Sequence, residues 1–146
     1  MIDTKYIGAL VSQHNVEVEA GRLRFFAKAT GQTDGLYTDV ATARDRGYPN
    51  LPVPPTFLFC LDMEQPNPNA MRELLGIDIG RVLHGEQSFT YHRMAFAGER
   101  LNFETRIVDI YAKKGGALEF VVRETRVTDS QGQPVADLRG TIVVRN

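Results

Sequence analysis

The chain has 146 residues, of which 42% are hydrophobic and 24% charged, and its formal net charge is −1. This composition is typical of a folded water-soluble protein, and the even spread of lysine and arginine argues against binding to nucleic acid. The single cysteine, Cys60, excludes an intrachain disulfide and favours a cytoplasmic location. The N-terminus lacks the pattern of a signal peptide, and no apolar run approaches the roughly 20 residues of a membrane helix.

The first part of the chain has mainly helical and turn-forming patterns. Residues 14–19 alternate apolar and polar side chains, which predicts a short strand. Ala20–Thr30 predicts a helix with one apolar face, and Gly31 is its expected end. Residues 40–46 predict a weaker helix, which the side chain of Asp39 would cap.

A proline pair opens an apolar segment in the middle of the chain. Pro54 and Pro55 precede Thr56–Met63, which predicts a helix because the first helical turn tolerates proline. The apolar side chains of this helix are expected to form core and, in part, to line a ligand pocket. Within it, Cys60 is expected to be a small buried hydrophobe rather than a nucleophile. Ala70–Leu75 predicts one more short helix.

From residue 82 onward, apolar side chains recur at every second position. The segments with this pattern are Val82–Arg93, Arg100–Lys113, Leu118–Thr128 and Val135–Val144. Their connections are short, which predicts antiparallel strands, since parallel strands need long crossovers. Helices followed by antiparallel strands predict an α+β fold, and without an internal linker we expect a single domain over residues 1–146.

Several motifs resemble one known family. They are Phe-Ala at 26–27, Gly-Gln-Thr-Asp-Gly-Leu-Tyr-Thr-Asp at 31–39, Ala-Arg at 43–44, Gly-Tyr at 47–48 and Val-Pro-Pro-Thr-Phe at 53–57. With the segment His84–Arg93 and Ala-Gly-Glu at 97–99, they are similar to the MaoC-like hydratase/dehydratase family. The Pro-Pro-Thr-Phe motif resembles a subfamily that includes non-catalytic subunits of hydroxyacyl-ACP dehydratases.

This resemblance implies a hot-dog fold, in which a curved antiparallel sheet wraps around a central helix that begins near Pro55. It also implies an acyl-CoA or acyl-ACP thioester as substrate, pairing with a second hot-dog subunit in a homodimer or heterodimer, and no cofactor or metal. Hydration of an enoyl thioester needs only a positioned water and a proton shuttle.

Two positions depart from the family pattern. Active members carry an Asp and a His as the acid/base pair where this chain has Gln32 and Tyr37. An amide does not take up a proton, and a phenol with a reference pKa of about 10 is a poor base near neutral pH. We therefore expect no catalytic residue at these positions, and interpret the chain as the acyl-binding, catalytically degenerate partner of an active subunit.

The expected substrate-binding residues are Gln32, Tyr37, Pro55, Thr56, Phe57, His84 and His92. Gln32 and Tyr37 could instead satisfy backbone groups of their loop. Strand alternation places His84, Glu86 and His92 on one face, as a second acid/base site, a solvated face or a polar network at a dimer interface. A metal site is disfavoured because no further histidine or cysteine is near them, and His14 is expected on the surface.

Two alternative functions remain open from the sequence. One is a self-sufficient homodimeric thioester hydratase that uses His84, His92 and Glu86. The other is a non-enzymatic module that binds acyl thioesters without turning them over.

Overall fold

One antiparallel sheet of five strands organises the protein, and the computed structural model describes all of residues 1–146. The strands are β1 (Leu10–Glu17), β2 (Val82–Tyr91), β3 (Arg100–Lys113), β4 (Leu118–Thr128) and β5 (Pro134–Arg145). They lie in the order β1-β3-β4-β5-β2, so that β1 and β2 are the two edges. The predicted α+β layout is confirmed.

Short helices fill the space before and between the strands. They are α1 (Ala20–Ala29), α2 (Val40–Asp45), α3 (Phe57–Asp62) and α4 (Ala70–Leu75), with single 3-10 turns at Thr4–Tyr6, Gly35–Tyr37, Ile79–Arg81 and Lys114–Gly116. Most bounds agree with the predicted ones to within two residues. Strand β1 is the exception, because it begins at Leu10, four residues before the predicted start, and pairs with β3 over this extra length. None of the helices combines the length and apolar composition needed to span a membrane.

Helix α3 packs against one face of the sheet, which we call the inner face. The buried side chains that form this contact are Phe57, Leu58 and Leu61 from α3 and Leu101, Phe103, Val127 and Leu138 from the strands. Each side chain of this size contributes about 1.5–3 kcal/mol when it is fully buried. A helix of six residues does not form stably alone in water, so its position depends on this packing.

The edge strand β2 contains a bulge at Gly85. The register pairs His84 with Ile142 and Glu86 with Thr141, which leaves Gly85 as an extra residue without a partner. A Cβ atom on Gly85 would lie 2.9 Å from a methyl group of β5 and 3.2 Å from a backbone oxygen of the same strand. The bulge therefore needs a residue without a side chain.

The bulge places His84 and Glu86 on opposite faces of the sheet. Cross-strand partners share a face, while Ile142 and Thr141 are consecutive residues that face opposite ways. His84 accordingly lies on the inner face, where its ring meets the edge of the Phe59 ring at a centroid distance of 6.5 Å. The predicted shared face for His84, Glu86 and His92 is wrong, because one inserted residue reverses the alternation.

Replacement of Gly85 by alanine tests the requirement for glycine in the bulge. The added Cβ would crowd Val143 and the Thr141 backbone oxygen, so we expect Gly85→Ala to lower the free energy of unfolding by about 1–3 kcal/mol. Urea denaturation measures the loss. The control is Gly21→Ala in α1, where the Cβ would meet open space and stability should be unchanged or raised. Equal stability of both variants would show that the bulge accepts a side chain.

Candidate functional site

The loop between α1 and α2 holds the first of the two substituted motif positions. Gln32 is exposed, and its side-chain oxygen accepts a hydrogen bond of 3.1 Å from the Asp34 backbone N–H. Asp34 caps the following 3-10 turn by accepting from the Leu36 N–H, and this bond, followed by the one from Arg46, lowers the pKa of its carboxyl group. Gln32 is thus part of the turn that shapes the loop.

Asp39 caps helix α2, as predicted. Its carboxylate accepts hydrogen bonds from the Thr42 hydroxyl at 2.6 Å and the Thr42 backbone N–H at 3.1 Å. These bonds lower the pKa of Asp39, because they favour the charged form of the carboxyl group. The carboxylate is therefore committed to the helix start.

Tyr37, the second substituted position, lines an apolar cavity of about 270 Å³. The other lining residues are Val53, Pro55, Leu58, Tyr91, Arg93, Met94, Ala95 and Val135. Two expected binding residues, Tyr37 and Pro55, therefore meet in one cavity. Gln32 does not line this cavity, so the two substituted motif positions have different surroundings.

Thr56 marks the entrance to helix α3. Its φ of 72° lies in the left-handed region, which is unusual for a residue other than glycine. Its backbone N–H donates a hydrogen bond of 2.9 Å to the Tyr91 hydroxyl. The amide at the start of the central helix is therefore already bound to a side chain of the neighbouring strand.

The largest open space has a volume of about 680 Å³ and lies between the helices and the edge strand β2. We call this space the groove. Its lining residues are Phe26, Thr56, Phe59, Cys60, His84, Gly85, Glu86, Gln87 and Phe89. Thr56 and His84 thus lie where a ligand could touch them. Cys60 is only half-buried and lines this space, so its predicted burial holds in part.

Phe57 and His92 lie outside the groove. Phe57 is 4% exposed and packs on Phe26, with ring centroids 4.8 Å apart, so it supports the groove wall from behind. His92 follows the end of β2, where its Nε2 lies 2.8 Å from an oxygen of Asp137. The site therefore gathers only part of the expected set. No group of three or more histidine, cysteine or acidic side chains is arranged to hold a metal ion.

A second space, which we call the chamber, has a volume of about 300 Å³. The rings of Phe59 and His84 line both the groove and the chamber. Its apolar lining consists of Val11, Met63, Pro68, Met71, Ile79, Val82 and Ile142, and its other polar lining consists of Gln65, Asn69, Arg72 and Arg123. No carboxylate lines this chamber.

A buried polar cluster under α3 was not predicted. His14, expected on the surface, is 7% exposed and stacks on Phe103 at a centroid distance of 5.3 Å. Asp62 is 2% exposed, and one of its oxygens accepts a hydrogen bond of 3.4 Å from the Thr125 hydroxyl, which also bonds Thr105 at 2.7 Å. His14 and Val16 are two residues apart in β1, so their side chains lie on the same face of the sheet. This alternation was the signal in the sequence for the burial of His14.

Desolvation raises the pKa of the Asp62 carboxyl group, because burial penalises its charged form. The favourable charges of Arg123 and His14 and the threonine hydroxyls only partly offset this effect. The second Asp62 oxygen has no hydrogen-bond partner. Asp62 is thus a strained charged group inside the domain.

The pH dependence of stability tests whether the charged form of Asp62 destabilises the fold. Because the folded-state pKa of Asp62 is raised, the folded protein holds the proton more tightly, and stability falls as pH rises from the ordinary aspartate pKa through the raised one. We therefore expect Asp62→Asn to be more stable than the wild type at neutral pH, with the difference vanishing in acid. Thermal unfolding across pH measures it.

Asp39→Asn is the control, for which we expect the opposite change in stability at neutral pH. Its folded-state pKa is lowered, so the charged form stabilises the fold at neutral pH and that benefit is lost in acid. The variant should be less stable than the wild type at neutral pH and equal to it in acid. A neutral-pH loss of stability in Asp62→Asn would contradict the assignment of Asp62.

The family is decided by a sequence match to the group described as "FAS1-like, dehydratase domain region", which covers residues 5–138. This chain belongs to the FAS1-like dehydratase family. A UPF0336 protein of Thermobifida fusca is 33% identical over 145 residues, which cover 99% of this chain and 94% of that relative. A UPF0336 protein of Saccharopolyspora erythraea is 35% identical over 129 residues, 88% of this chain and 81% of the relative.

Solved structures of similar shape are hot-dog dehydratases and hydratases. The HadBC (3R-hydroxyacyl-ACP dehydratase) complex of Mycobacterium tuberculosis matches with a TM-score of 0.79 and 22% identity over 94% of this chain and 96% of that one. A MaoC-like dehydratase matches with a TM-score of 0.81 and 23% identity, over 97% of this chain and 42% of that one. The R-hydratase PhaJ1 of Pseudomonas aeruginosa matches with a TM-score of 0.71 and 16% identity, over 96% of this chain and 82% of that one. The hot-dog fold and the MaoC-like resemblance are confirmed.

Proposed function

We propose that this chain is the acyl-binding, catalytically degenerate subunit of an R-specific enoyl-CoA hydratase or 3-hydroxyacyl-thioester dehydratase. A second hot-dog subunit with an intact aspartate–histidine pair supplies the chemistry. The observation that carries the proposal is the state of the two motif positions in a dehydratase fold. Gln32 holds a turn and Tyr37 lines an apolar cavity, and neither side chain shuttles protons near neutral pH.

No other paired acid and base line the groove. His84 and Glu86 both line it, but they form no ion pair, and the bulge pairs Glu86 with Thr141, on the face of the sheet opposite to His84. The pair formed by His92 and Asp137 lies at the end of β2 and lines neither the groove nor the Tyr37 cavity. This arrangement speaks against a self-sufficient hydratase built on these residues.

One backbone donor at the start of α3 is already bound. Enzymes that act on acyl groups stabilise developing oxyanion charge with preorganised N–H groups. Here the Thr56 N–H is bound to the Tyr91 hydroxyl. This N–H is therefore not free to stabilise a thioester carbonyl.

The exposed edge of the sheet supports pairing with a second subunit. Strand β2 is an edge with apolar side chains in contact with solvent, among them Leu83 at 46% and Tyr91 at 49% exposure. Unpaired strand edges are association sites, and pairing at β2 would also cover the groove that this strand lines. Two similar structures, HadBC and ChsH1–ChsH2, are complexes of differently named subunits. We propose a cytoplasmic complex of this kind.

Activity with and without a partner tests the division of labour. The purified chain should not hydrate crotonyl-CoA or longer enoyl-CoA esters, because it lacks a proton shuttle. Co-expression with a MaoC-like subunit that carries the intact pair should give an active complex, and removal of that pair should abolish its activity. Gln32→Ala in this chain should leave kcat within about threefold, since Gln32 acts in a turn rather than on the substrate.

Three results would contradict the proposal. Turnover by the chain alone that is lost on changing Gln32 or Tyr37 would restore a catalytic role to the motif. A stable homodimer that pairs with no other hot-dog subunit would remove the partner. Saturable acyl-CoA binding without turnover beside a partner would identify a binding module instead.

The edge strand gives a separate prediction about assembly. Leu83→Asp places a charge on exposed apolar surface of β2, so we expect it to weaken association with the partner by about tenfold or more. Sedimentation velocity across a concentration series measures this. Ile7→Asp, at a similarly exposed apolar residue outside β2, is the control and should not change association. Equal effects of the two variants would place the interface elsewhere.

A further inference from the structure

The groove and the chamber meet at two aromatic rings. Phe59 of α3 and His84 of β2 line both spaces, and their rings touch edge to face. The two spaces are therefore adjacent, and a ligand chain that occupies both has to pass these side chains. The apolar lining of the chamber suits methylene groups.

Arg123 lines the chamber. It alternates with Thr125 and Val127 along β4, which places it on the inner face of the sheet. Across the sheet it is paired with Gly140, and its Nε lies 3.4 Å from where a Cβ of Gly140 would be. The side-chain oxygen of Gln87, a groove residue, lies 2.9 Å from the same point. The missing side chain of Gly140 thus lets the arginine lie over the sheet toward the groove.

The guanidinium of Arg123 has no ion-pair partner. Each salt bridge in the protein involves other residues, although Arg123 is half-buried and lines the chamber. The chamber is also lined by Arg72 and His84, and by no carboxylate. A half-buried cation without an ion pair loses part of its hydration, so a chamber lined by two arginines and no carboxylate favours an anionic ligand.

Asp62, the acid within range of the Arg123 charge, forms no ion pair with Arg123 and does not line the chamber. Burial raises the pKa of Asp62, and the charge of Arg123 offsets part of that effect. The chamber itself therefore presents the guanidinium of Arg123 without a carboxylate beside it.

We propose that the acyl chain bound here ends in a carboxylate and that Arg123 binds it, which makes the ligand an ω-carboxyacyl thioester. This inference rests on the proposed acyl-binding function and names its substrate class. The methylene groups occupy the groove and the apolar part of the chamber, and the terminal carboxylate reaches the guanidinium. An alkyl terminus at the same place would cover Arg123 without forming an ion pair with it.

Matched pairs of ligands test the proposal on the wild-type complex. Isothermal titration calorimetry compares adipoyl-CoA with hexanoyl-CoA and sebacoyl-CoA with decanoyl-CoA, so that each pair differs only in the terminal group. We expect the carboxylate member of at least one pair to bind about tenfold more tightly, as a hydrogen bond to a charged group provides. Arg123→Gln should remove this preference while binding of the alkyl member changes little.

Arg126→Gln is the matched control, because Arg126 is an exposed arginine of the same strand on the opposite face. It should keep the preference. If Arg123→Gln does not fold by circular dichroism, Arg123→Lys replaces it, and the preference should fall because lysine lacks the two-pronged contact of arginine.

The outcomes separate this inference from the proposed function. Equal or tighter binding of the alkyl member in both pairs overturns the inference and leaves acyl binding in place. A preference that survives in Arg123→Gln also overturns it, because another residue then binds the carboxylate. Failure of all four esters to bind overturns both the inference and the acyl-binding role.

Discussion

The fold depends on the packing of helix α3 against the inner face of the sheet. Six residues do not sustain a helix in water, so α3 exists because Phe57, Leu58 and Leu61 are buried among strand side chains. The same packing forces polar residues inside. Asp62 completes the last turn of α3 and is carried under the helix, where the hydroxyls of two threonines give it partial support. The short central helix thus combines a stable apolar contact with a strained polar one.

Much of the architecture follows from sequence periodicity, and the wrong predictions have two physical causes. Alternating apolar residues after position 82 define four strands, and the proline pair marks the start of α3. Periodicity does not reveal an inserted residue, however. The extra residue Gly85 reverses the alternation within β2 and separates His84 from Glu86. His14 was misplaced for a different reason: its parity in β1 indicated the inner face, but its polarity suggested the surface.

The candidate site also has features that the sequence reveals and features that appear only in the folded structure. The substituted motif positions, Gln32 and Tyr37, are visible in the sequence because they depart from a local pattern. The chamber is not visible there, because it exists only once β4, β5 and β2 lie side by side. Arg123 and Gly140 are far apart along the chain and become neighbours through strand register alone. Polar residues from separate strands that meet inside an apolar pocket leave no local sequence signal.

In the proposed division of labour this subunit carries no catalytic pair, and that relaxes the constraints on its acyl-binding space. An active site must hold water, an acid and a base near the thioester, which limits where charges can be placed. A subunit without that chemistry can carry a half-buried arginine without an ion pair, such as Arg123, in its pocket. The groove contains Thr56, whose amide is bound by Tyr91, and shares Phe59 and His84 with the chamber that Arg123 lines. Under this proposal the chain selects the ligand by its tail while the partner acts on its head.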